Sequence, residues 1–383
     1  MKVDIVCFSH LRWNFVYQRP QHLLSRFSKN SRVFFIEEPI WDTGQEIIST
    51  TQVAENITVV VPYLSSEKSD ETVALQREML DRLFEEMNIT DYIFWYYSPM
   101  ALPFSDHANP KMIVYDCMDE LSSFKNAPIE LKENEAKLIK KADIMFTGGN
   151  SLYHAKKHLH RNVHAFPSSI DKEHFFTARA KYSREEVHEN IPHPRFGFYG
   201  VIDERFNMEL LEDIATKKPD WNFILVGPVV KISEDSIPAL DNIHHLGGKS
   251  YKDLPAYLSE WDIAIMPFAL NEATRFISPT KTPEFLAAGK PVISTSITDV
   301  VEPYGNKGLV YIADTADEFI EAGENILNTI LSDNSCYEKW LGKVDNFLHG
   351  MSWDKTWKDM LNIMDSVMQQ KTIKNSRKTE LYV

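Results

Sequence analysis

Short runs of β-branched and aromatic residues alternate with amphipathic stretches along most of this chain. The runs predict strands at 3–8, 33–36, 58–61, 92–96, 111–115 and 143–147, and again at 195–199, 222–226, 243–246, 263–266, 292–295 and 309–312. The stretches between them predict helices, the clearest at 21–27, 73–87, 207–217, 253–260, 283–288 and 317–331. Strands that alternate with helices predict an α/β fold whose parallel sheets are covered on both faces.

The alternation stops between residues 178 and 194, where the sequence is charged and broken by prolines. Because 383 residues exceed one ordinary core, we predict two Rossmann-like domains, 1–190 and 191–352, that face a deep interdomain cleft. An amphipathic stretch predicts a helix at 353–370, and residues 371–383 are predicted to form a flexible tail. Ligands of such sheets bind beyond the carboxyl ends of the strands, so functional residues are expected there.

The composition narrows the partners of the chain. Its formal net charge of −14 disfavours a nucleic-acid partner, because no broad positive field collects phosphates. The three cysteines, Cys7, Cys117 and Cys336, are far apart, which indicates neither a disulfide framework nor a zinc site and fits a reducing cytoplasm. We therefore predict a cytoplasmic protein. For the basic residues of the tail, peripheral contact with the inner face of an anionic membrane is the alternative to a solvated position.

Several motifs that carry chemistry do not occur in the sequence. It has no Asp-x-Asp pair for a metal-bound diphosphate, no GxGxxG fingerprint after the first strand, no GxxxxGK[ST] loop and no GxSxG elbow. The adjacent His244 and His245 lack a third ligand at a useful spacing. We predict that the protein uses no metal and no bound cofactor.

The most informative stretch runs from residue 277 to residue 295, ISPTKTPEFLAAGKPVIST. A polar loop opens a short helix that carries Glu284, and a Gly-Lys-Pro turn leads into a β-branched strand. Backbone N–H groups at a helix start suit a phosphate, and a carboxylate one turn further in accepts hydrogen bonds from a ribose diol. Phosphate and ribose together indicate a nucleotide. The predicted ribose ligand is Glu284.

This stretch resembles the donor-binding signature of GT-B glycosyltransferases of the GT4-like kind, the glycosyl transferases group 1. The segments QRPQHLLSRF and YDCMDELSSF resemble those of bacterial glycosyltransferases of teichuronic-acid and polysaccharide synthesis. The resemblance implies a GT-B fold whose last helix crosses back onto the N-terminal domain. It also implies transfer of a sugar, without a metal, from a nucleotide-diphosphate sugar to a glycan, a lipid-linked acceptor or a cell-surface polysaccharide precursor.

The resemblance extends the donor site to three earlier strand ends. It implies donor contacts from Gly200, Arg205, Lys231, Leu246 and Gly247, the last two of them on the base. In the loop before Glu284, relatives with an SP-x-K sequence imply contacts from a lysine and hydroxyls, here Ser278, Thr280, Lys281 and Thr282. Two other interpretations stay open. Arg205 also fits a surface ion pair with a neighbouring carboxylate, and Lys231 also fits a solvated loop.

One position departs from the family pattern. The family's two-glutamate motif places carboxylates eight positions apart, so Glu284 takes the second position and Phe276 takes the first. Glu272 lies four positions from that register. The resemblance implies a retaining transfer, and the missing carboxylate leaves inversion open. The missing carboxylate also leaves open two functions other than sugar transfer. The chain could be a nucleotide-sugar epimerase on the same fold, or a catalytically inactive module that binds nucleotide or glycan.

Two loops of the N-terminal half predict the acceptor site and the catalytic groups. The loop after the first strand offers aromatic faces to a sugar and cations to a phosphate. Its predicted acceptor ligands are Arg12, Trp13, Gln18 and Arg19. The loop after strand 111–115 carries carboxylates suited to acid and base work. The predicted catalytic residues are His10, Asp116, Asp119 and Glu120. Packing of Trp13 at the domain edge, and helix capping by Asp119 or Glu120, are the structural alternatives.

Overall fold

The computed structural model describes residues 3–41, 44–65, 70–180 and 190–380. The chain divides into two compact units, Met1–Pro167 with Trp353–Val383, and Ser168–Ser352. The boundary therefore precedes the break in the sequence pattern, because Ile170, Phe175 and Ala178 pack in the core of the second unit. Residues 181–189, within that break, lie outside the described residues.

The first unit is built around one sheet. Its strands are β1 Asp4–Ser9, β2 Val33–Glu37, β3 Ile47–Ala54, β4 Ile57–Tyr63, β5 Tyr92–Tyr96, β6 Ile113–Cys117, β7 Ile144–Thr147 and β8 Val163–Ala165. Their order is β3-β4-β2-β1-β5-β6-β7-β8, and only the edge strand β3 is antiparallel to its neighbour. The strands next to β1 are almost fully buried, as expected where helices cover both faces of a parallel sheet.

The helices of this unit that precede the boundary are α1 Arg19–Phe27, α2 Asp70–Glu86, α3 Leu102–Ser105, α4 Leu131–Lys141 and α5 Asn150–Lys156. Helix α1 starts at the end of the loop that follows β1, and Pro20 suits its first turn because an N–H there would be unpaired. Leu23, Leu24 and Phe27 anchor α1 in the core of the unit. The loop before α1 is therefore fixed at both ends.

The second unit has a smaller sheet. Its strands are β9 Arg195–Tyr199, β10 Asn222–Val226, β11 Ile243–His245, β12 Ile263–Met266, β13 Val292–Ser294 and β14 Tyr311–Ile312. They are all parallel, in the order β11-β10-β9-β12-β13-β14. The helices are α6 Lys172–Phe176, α7 Met208–Lys217, α8 Leu254–Ser259, α9 Lys281–Ala287, α10 Thr298–Val301, α11 Ala316–Thr329 and α12 Asn334–Leu348. The carboxyl ends of β9, β10 and β11 carry the loops in which donor ligands are predicted.

The last helix, α13 Trp353–Glu380, belongs to the first unit, as the resemblance implied. Trp353, Met360 and Met364 are buried in that unit's core. Lys371 Nζ lies 2.7 Å from an oxygen of Asp143, so the expectation of a flexible tail from residue 371 is wrong as far as residue 380. Residues 381–383 of the predicted tail lie outside the described residues.

Candidate functional site

Three glycines with positive φ stand at the ends of β9, β10 and β11: Gly200 (138°), Gly227 (152°) and Gly247 (68°). The Gly200 N–H donates to the Val226 carbonyl, and the Gly227 N–H donates to the Gly247 carbonyl, both at 2.9 Å. A Cβ on Gly227 would lie 1.8 Å from the Gly200 oxygen. Only residues without a side chain let these backbones approach so closely. The three glycines therefore form a patch of backbone without side chains, the glycine patch, at the carboxyl ends of β9, β10 and β11.

Lys281, the first residue of α9, lies against this patch. A Cβ on Gly200 would meet Cε of Lys281 at 2.1 Å and Nζ at 2.8 Å. The ammonium also lies 6.0 Å from the centre of the Phe198 ring. Lys281 therefore places a positive charge beside the backbone of Gly200, where no side chain intervenes.

Glu284 lies one turn further along α9 and is only 4% exposed. The Tyr199 hydroxyl donates a hydrogen bond to its Oε2. Burial raises the pKa of Glu284 to about 7, although the Tyr199 hydrogen bond and the charge of Lys281 pull the pKa down. Glu284 is therefore a carboxyl group that changes charge near neutral pH.

The loop before α9 is held from within its own unit. Ser168 Oγ donates to the Ser278 carbonyl at 2.5 Å, and Ser278 Oγ is 3.4 Å from the Ser168 nitrogen. Thr280 immediately precedes α9, and its carbonyl accepts from the Glu284 N–H. Thr282 is fully buried, with Oγ1 3.6 Å from the sulfur of Met266. Its hydroxyl faces the core, and the donor contact of Thr282 stays a prediction.

The two basic residues predicted to meet the diphosphate are both paired with carboxylates. Arg205 Nε and Nη2 donate to the two oxygens of Asp203 at 2.9 and 2.6 Å, and the Arg205 side chain is 27% exposed. Lys231 Nζ lies 3.8 Å from Oε1 of Glu204. The ion pair that the sequence left open for Arg205 is thus present. Leu246, which with Gly247 follows β11, donates its N–H to the Leu225 carbonyl at 2.9 Å.

The loop after β1 is ordered by Glu37, a residue that the sequence analysis did not single out. Glu37 Oε2 accepts from Arg12 Nη1 at 2.9 Å, and its Oε1 accepts from the Trp13 N–H at 2.8 Å. The Trp13 ring packs edge-on against Phe35 at 5.1 Å, which is the structural alternative for Trp13. The position of Glu37 in the sequence could have indicated this role. Glu37 ends β2, which pairs in parallel with β1, so it lies beside the start of the loop that follows β1.

Two other predicted residues of this loop lie at its ends. His10 follows β1 and is partly buried. Gln18 precedes α1, and its N–H donates to Oε1 of Gln21 at 3.1 Å. Nearby, Phe15 and Tyr17 are 48% and 42% exposed and offer aromatic faces to solvent. The exposed aromatic surface of the loop is therefore that of Phe15 and Tyr17 rather than Trp13.

Arg19 and Asp116, predicted as an acceptor ligand and a catalytic acid, form a buried ion pair. Arg19 Nη2 lies 2.8 Å from Oδ1 of Asp116, and the two side chains are 4% and 0% exposed. Arg19 Nη1 also donates to the Phe166 carbonyl at 2.7 Å. Burial opposes the charge of Arg19, but Asp116 more than compensates and raises the pKa of the guanidinium. Both side chains are engaged in this buried pair, and the predicted acceptor role of Arg19 and catalytic role of Asp116 stay predictions.

Glu120 is likewise engaged by a buried cation. Its Oε2 lies 2.8 Å from Nζ of Lys156, which also lies 2.7 Å from Oε1 of Glu135. Burial works against the charged form of Lys156, yet Cys117, Glu135 and Glu120 together raise its pKa. This cluster braces the loop after β6. Asp119, on the same loop, is partly buried and accepts a weak hydrogen bond from Cys117 through its backbone carbonyl at 3.5 Å.

Within the described parts of the chain, no group of three His, Cys, Asp or Glu residues is arranged to hold a metal ion. The same parts contain no helix with the length and apolar character needed to cross a bilayer.

Comparison with known proteins agrees with this geometry. Residues 193–329 match the family described as Glycosyl transferases group 1. A Bacillus subtilis (strain 168) protein, named as the TuaH glycosyltransferase of teichuronic acid biosynthesis, is 27% identical over 254 residues. That match covers 61% of this chain and 63% of the relative, so the chain spans less than two thirds of the relative's length.

Solved structures extend the similarity to the whole chain. Sucrose-phosphate synthase from Thermosynechococcus elongatus has a TM-score of 0.72 at 13% identity, covering 96% of this chain and 100% of its own. Anabaena Alr3699/HepE in complex with UDP and glucose has a TM-score of 0.67 at 13% identity, covering 95% and 100%. The E. coli trehalose-6-phosphate protein bound with UDP-2-fluoro glucose has a TM-score of 0.66 at 11% identity, covering 96% and 99%. The predicted fold is confirmed, and the stated resemblance is borne out: this chain has the GT-B fold, and its residues 193–329 match the glycosyl transferases group 1.

Proposed function

We propose that this chain is a glycosyltransferase that takes a sugar from a nucleoside-diphosphate sugar. The observation that carries the proposal is the pairing, on one short helix, of Lys281 beside the bare backbone at Gly200 and of buried Glu284 one turn further on. Both residues lie in the segment that matches the family. Among proteins of the same fold, one was solved with UDP and glucose and another with UDP-2-fluoro glucose, which supports a nucleotide-sugar donor.

In the proposed donor complex each of these residues contacts one part of the nucleotide. The glycine patch lets the diphosphate approach the backbone, and Lys281 neutralises its charge. Glu284 accepts hydrogen bonds from the ribose hydroxyls. Arg205, which keeps an exposed fraction beside Asp203, is a secondary phosphate contact. The segment at Leu246 and Gly247 contributes backbone groups to the base.

The chemistry follows from this placement. The bond between the anomeric carbon and the diphosphate breaks, the acceptor hydroxyl adds to that carbon, and the acceptor proton leaves with the diphosphate or solvent. Charge builds up on the diphosphate as it leaves, so the fixed ammonium of Lys281 stabilises the transition state more than the ground state. We propose a metal-independent transfer on this basis.

Retention, as in the family, is the stereochemistry we propose. Phe276 stands where the first motif carboxylate is expected, and the Arg275 guanidinium lies over its ring at 5.2 Å. Glu272 is exposed and lies 3.5 Å from Arg275, and we propose that it does not replace that carboxylate. A retaining transfer here therefore relies on the leaving diphosphate and Lys281 rather than on a carboxylate at position 276.

For the acceptor we propose a glycan, a lipid-linked sugar or a cell-surface polysaccharide precursor, used in the cytoplasm or at the inner membrane face. The name of the Bacillus subtilis relative supports an acceptor of the cell envelope. Its ligands in the first unit are proposed to be His10, Arg12, Phe15 and Tyr17.

The test is release of nucleoside diphosphate from a panel of nucleotide sugars, with and without polysaccharide and lipid-linked acceptors. Release that requires an acceptor, with a glycosylated product, supports the proposal. Isomerised sugar without any acceptor would identify an epimerase instead. Nucleotide binding with no turnover on any acceptor of the panel would favour the inactive binding module.

Replacing Lys281 by methionine is expected to lower kcat/KM for the donor about 20-fold, since a hydrogen bond from a charged group to phosphate is worth about 1.5–3 kcal/mol. Steady-state kinetics with varied donor concentration measures the change. Lys217→Met is the matched control, because Lys217 is an exposed lysine paired with Asp213 and Asp317 at the far end of α7. Equal losses in the two variants, or none in Lys281→Met, would contradict the role of Lys281.

A further inference from the structure

Tyr199 makes a contact that no motif indicates. It is the last residue of β9, directly before Gly200, and its side chain is buried. Its hydroxyl donates to Oε2 of Glu284, 85 residues away in sequence. The ring is held edge-on against Phe285 at 5.0 Å and parallel to Phe175 at 6.3 Å. The hydroxyl therefore has one fixed direction, toward Glu284.

A buried carboxylate needs such a partner. Burial and the Glu284 charge raise the pKa of the Tyr199 hydroxyl well above its usual value, so it remains a neutral donor. The other charged or titratable groups acting on this pair are Lys281 on α9, Asp171 at the start of α6, and Tyr251. Of these groups, Tyr199 and Lys281 favour the ionised carboxylate, and Asp171 disfavours it. Tyr199 thus fixes one oxygen of Glu284 and helps to keep the group charged.

We propose that Tyr199 is a positioning residue of the donor site, whose hydroxyl holds the Glu284 carboxylate in the orientation that receives the ribose diol of a nucleoside diphosphate. The inference rests on the proposed function. Tyr199 itself touches Glu284 and not the ligand. Its loss should therefore change donor binding in a way that depends on the ionisation of Glu284.

The experiment is calorimetric titration with whichever of UDP, GDP, ADP or TDP binds the wild type, from about one pH unit below neutrality to about two above. Tyr199→Phe is expected to weaken binding about 10-fold at neutral pH, because loss of the hydrogen bond raises the pKa of Glu284 and protonates it. The deficit relative to wild type should shrink as the pH rises. Comparison at equal pH cancels the ionisation of the nucleotide itself.

Two variants serve as controls. Tyr96→Phe removes a comparable buried hydroxyl, which lies 2.7 Å from Ser105 in the first unit, and should bind as wild type at every pH. Glu284→Gln should bind weakly with no pH-dependent recovery. A deficit in Tyr199→Phe that is the same at every pH, or is shared by Tyr96→Phe, would assign Tyr199 a purely structural role and overturn the inference.

If Tyr199→Phe does not fold, Glu284→Asp provides the second variant, since its carboxylate is one carbon further from the hydroxyl. Wild-type affinity in Glu284→Asp, or in a folded Tyr199→Phe at all pH values, overturns the inference and leaves the proposed function standing. Absence of binding by the wild-type protein to the whole panel would instead remove the proposed function, and this inference with it.

Discussion

Arg19→Met is expected to lower the free energy of unfolding by about 3–5 kcal/mol, because it leaves the Asp116 carboxylate buried without its counter-ion. Asp116 is fully buried and receives both Nε and Nη2 of Arg19. The Phe166 carbonyl would lose its donor in the same variant. Denaturant unfolding followed by tryptophan fluorescence measures the loss.

Two further variants separate the ion pair from other effects. Arg77→Met removes an arginine from a pair exposed on both sides, 42% for Arg77 and 37% for Asp106, and is expected to cost about 1 kcal/mol or less. Arg19→Met combined with Asp116→Leu should recover most of the lost stability, since no buried charge then remains. If Arg19→Met kept full stability but abolished turnover with the acceptor, the acceptor role predicted from the sequence would be right and the structural role wrong.

Glu284→Gln is expected to weaken donor binding about 100-fold, because it replaces the charge that accepts the ribose hydroxyls and each charge-assisted hydrogen bond is worth about 1.5–3 kcal/mol. Tyr199 can still donate to the amide oxygen, so the fold should tolerate the change. Titration calorimetry at slightly alkaline pH, where the wild-type carboxyl is ionised, gives the clearest comparison.

The same variant should be more stable than the wild type at alkaline pH. The pKa of Glu284 is raised to about 7 in the folded protein, above its ordinary value of 4.5. A raised carboxyl pKa contributes stability that is present below the unfolded pKa and lost as the pH rises through the folded one. Glutamine removes this dependence, so the free energies of unfolding should be similar near pH 4.5 and differ in favour of Glu284→Gln by pH 8, by up to about 3 kcal/mol. Denaturant unfolding at both pH values measures the difference. A variant less stable than wild type at pH 8 would refute the burial argument.

The sequence was a good guide to the interiors of the two sheets. Strands such as β9 and β10 are covered on both faces, so they are continuous apolar runs that periodicity detects. The edge strand β3 is largely exposed and polar, and β8 has three residues, so neither gave a clear pattern. Glu284 could be singled out as a candidate because the loop, helix and strand around it are contiguous in sequence.

The sequence could not predict which distant side chains pair with each other. Arg19 and Asp116 are 97 positions apart, and as residue types they are as typical of a ligand site as of a buried ion pair. From the sequence alone, Lys156 cannot be distinguished from a solvated lysine on a helix. In the folded protein, Glu120 and Glu135 lie beside it. From the sequence alone, Tyr199 cannot be distinguished from any other tyrosine in a strand. In each case long-range packing, rather than local pattern, decides whether the side chain faces solvent, a counter-ion or a ligand.

We propose that the unit Ser168–Ser352 binds a nucleoside diphosphate through Lys281 and Glu284. Calorimetric titration of the wild-type chain, Lys281→Met and Glu284→Gln with UDP, GDP, ADP, TDP and CMP tests it most directly. We expect one diphosphate to bind the wild type, Lys281→Met to bind it more weakly, and Glu284→Gln to bind it weakest. Absence of binding by the wild type to every nucleotide, or binding that neither substitution weakens, would contradict the claim.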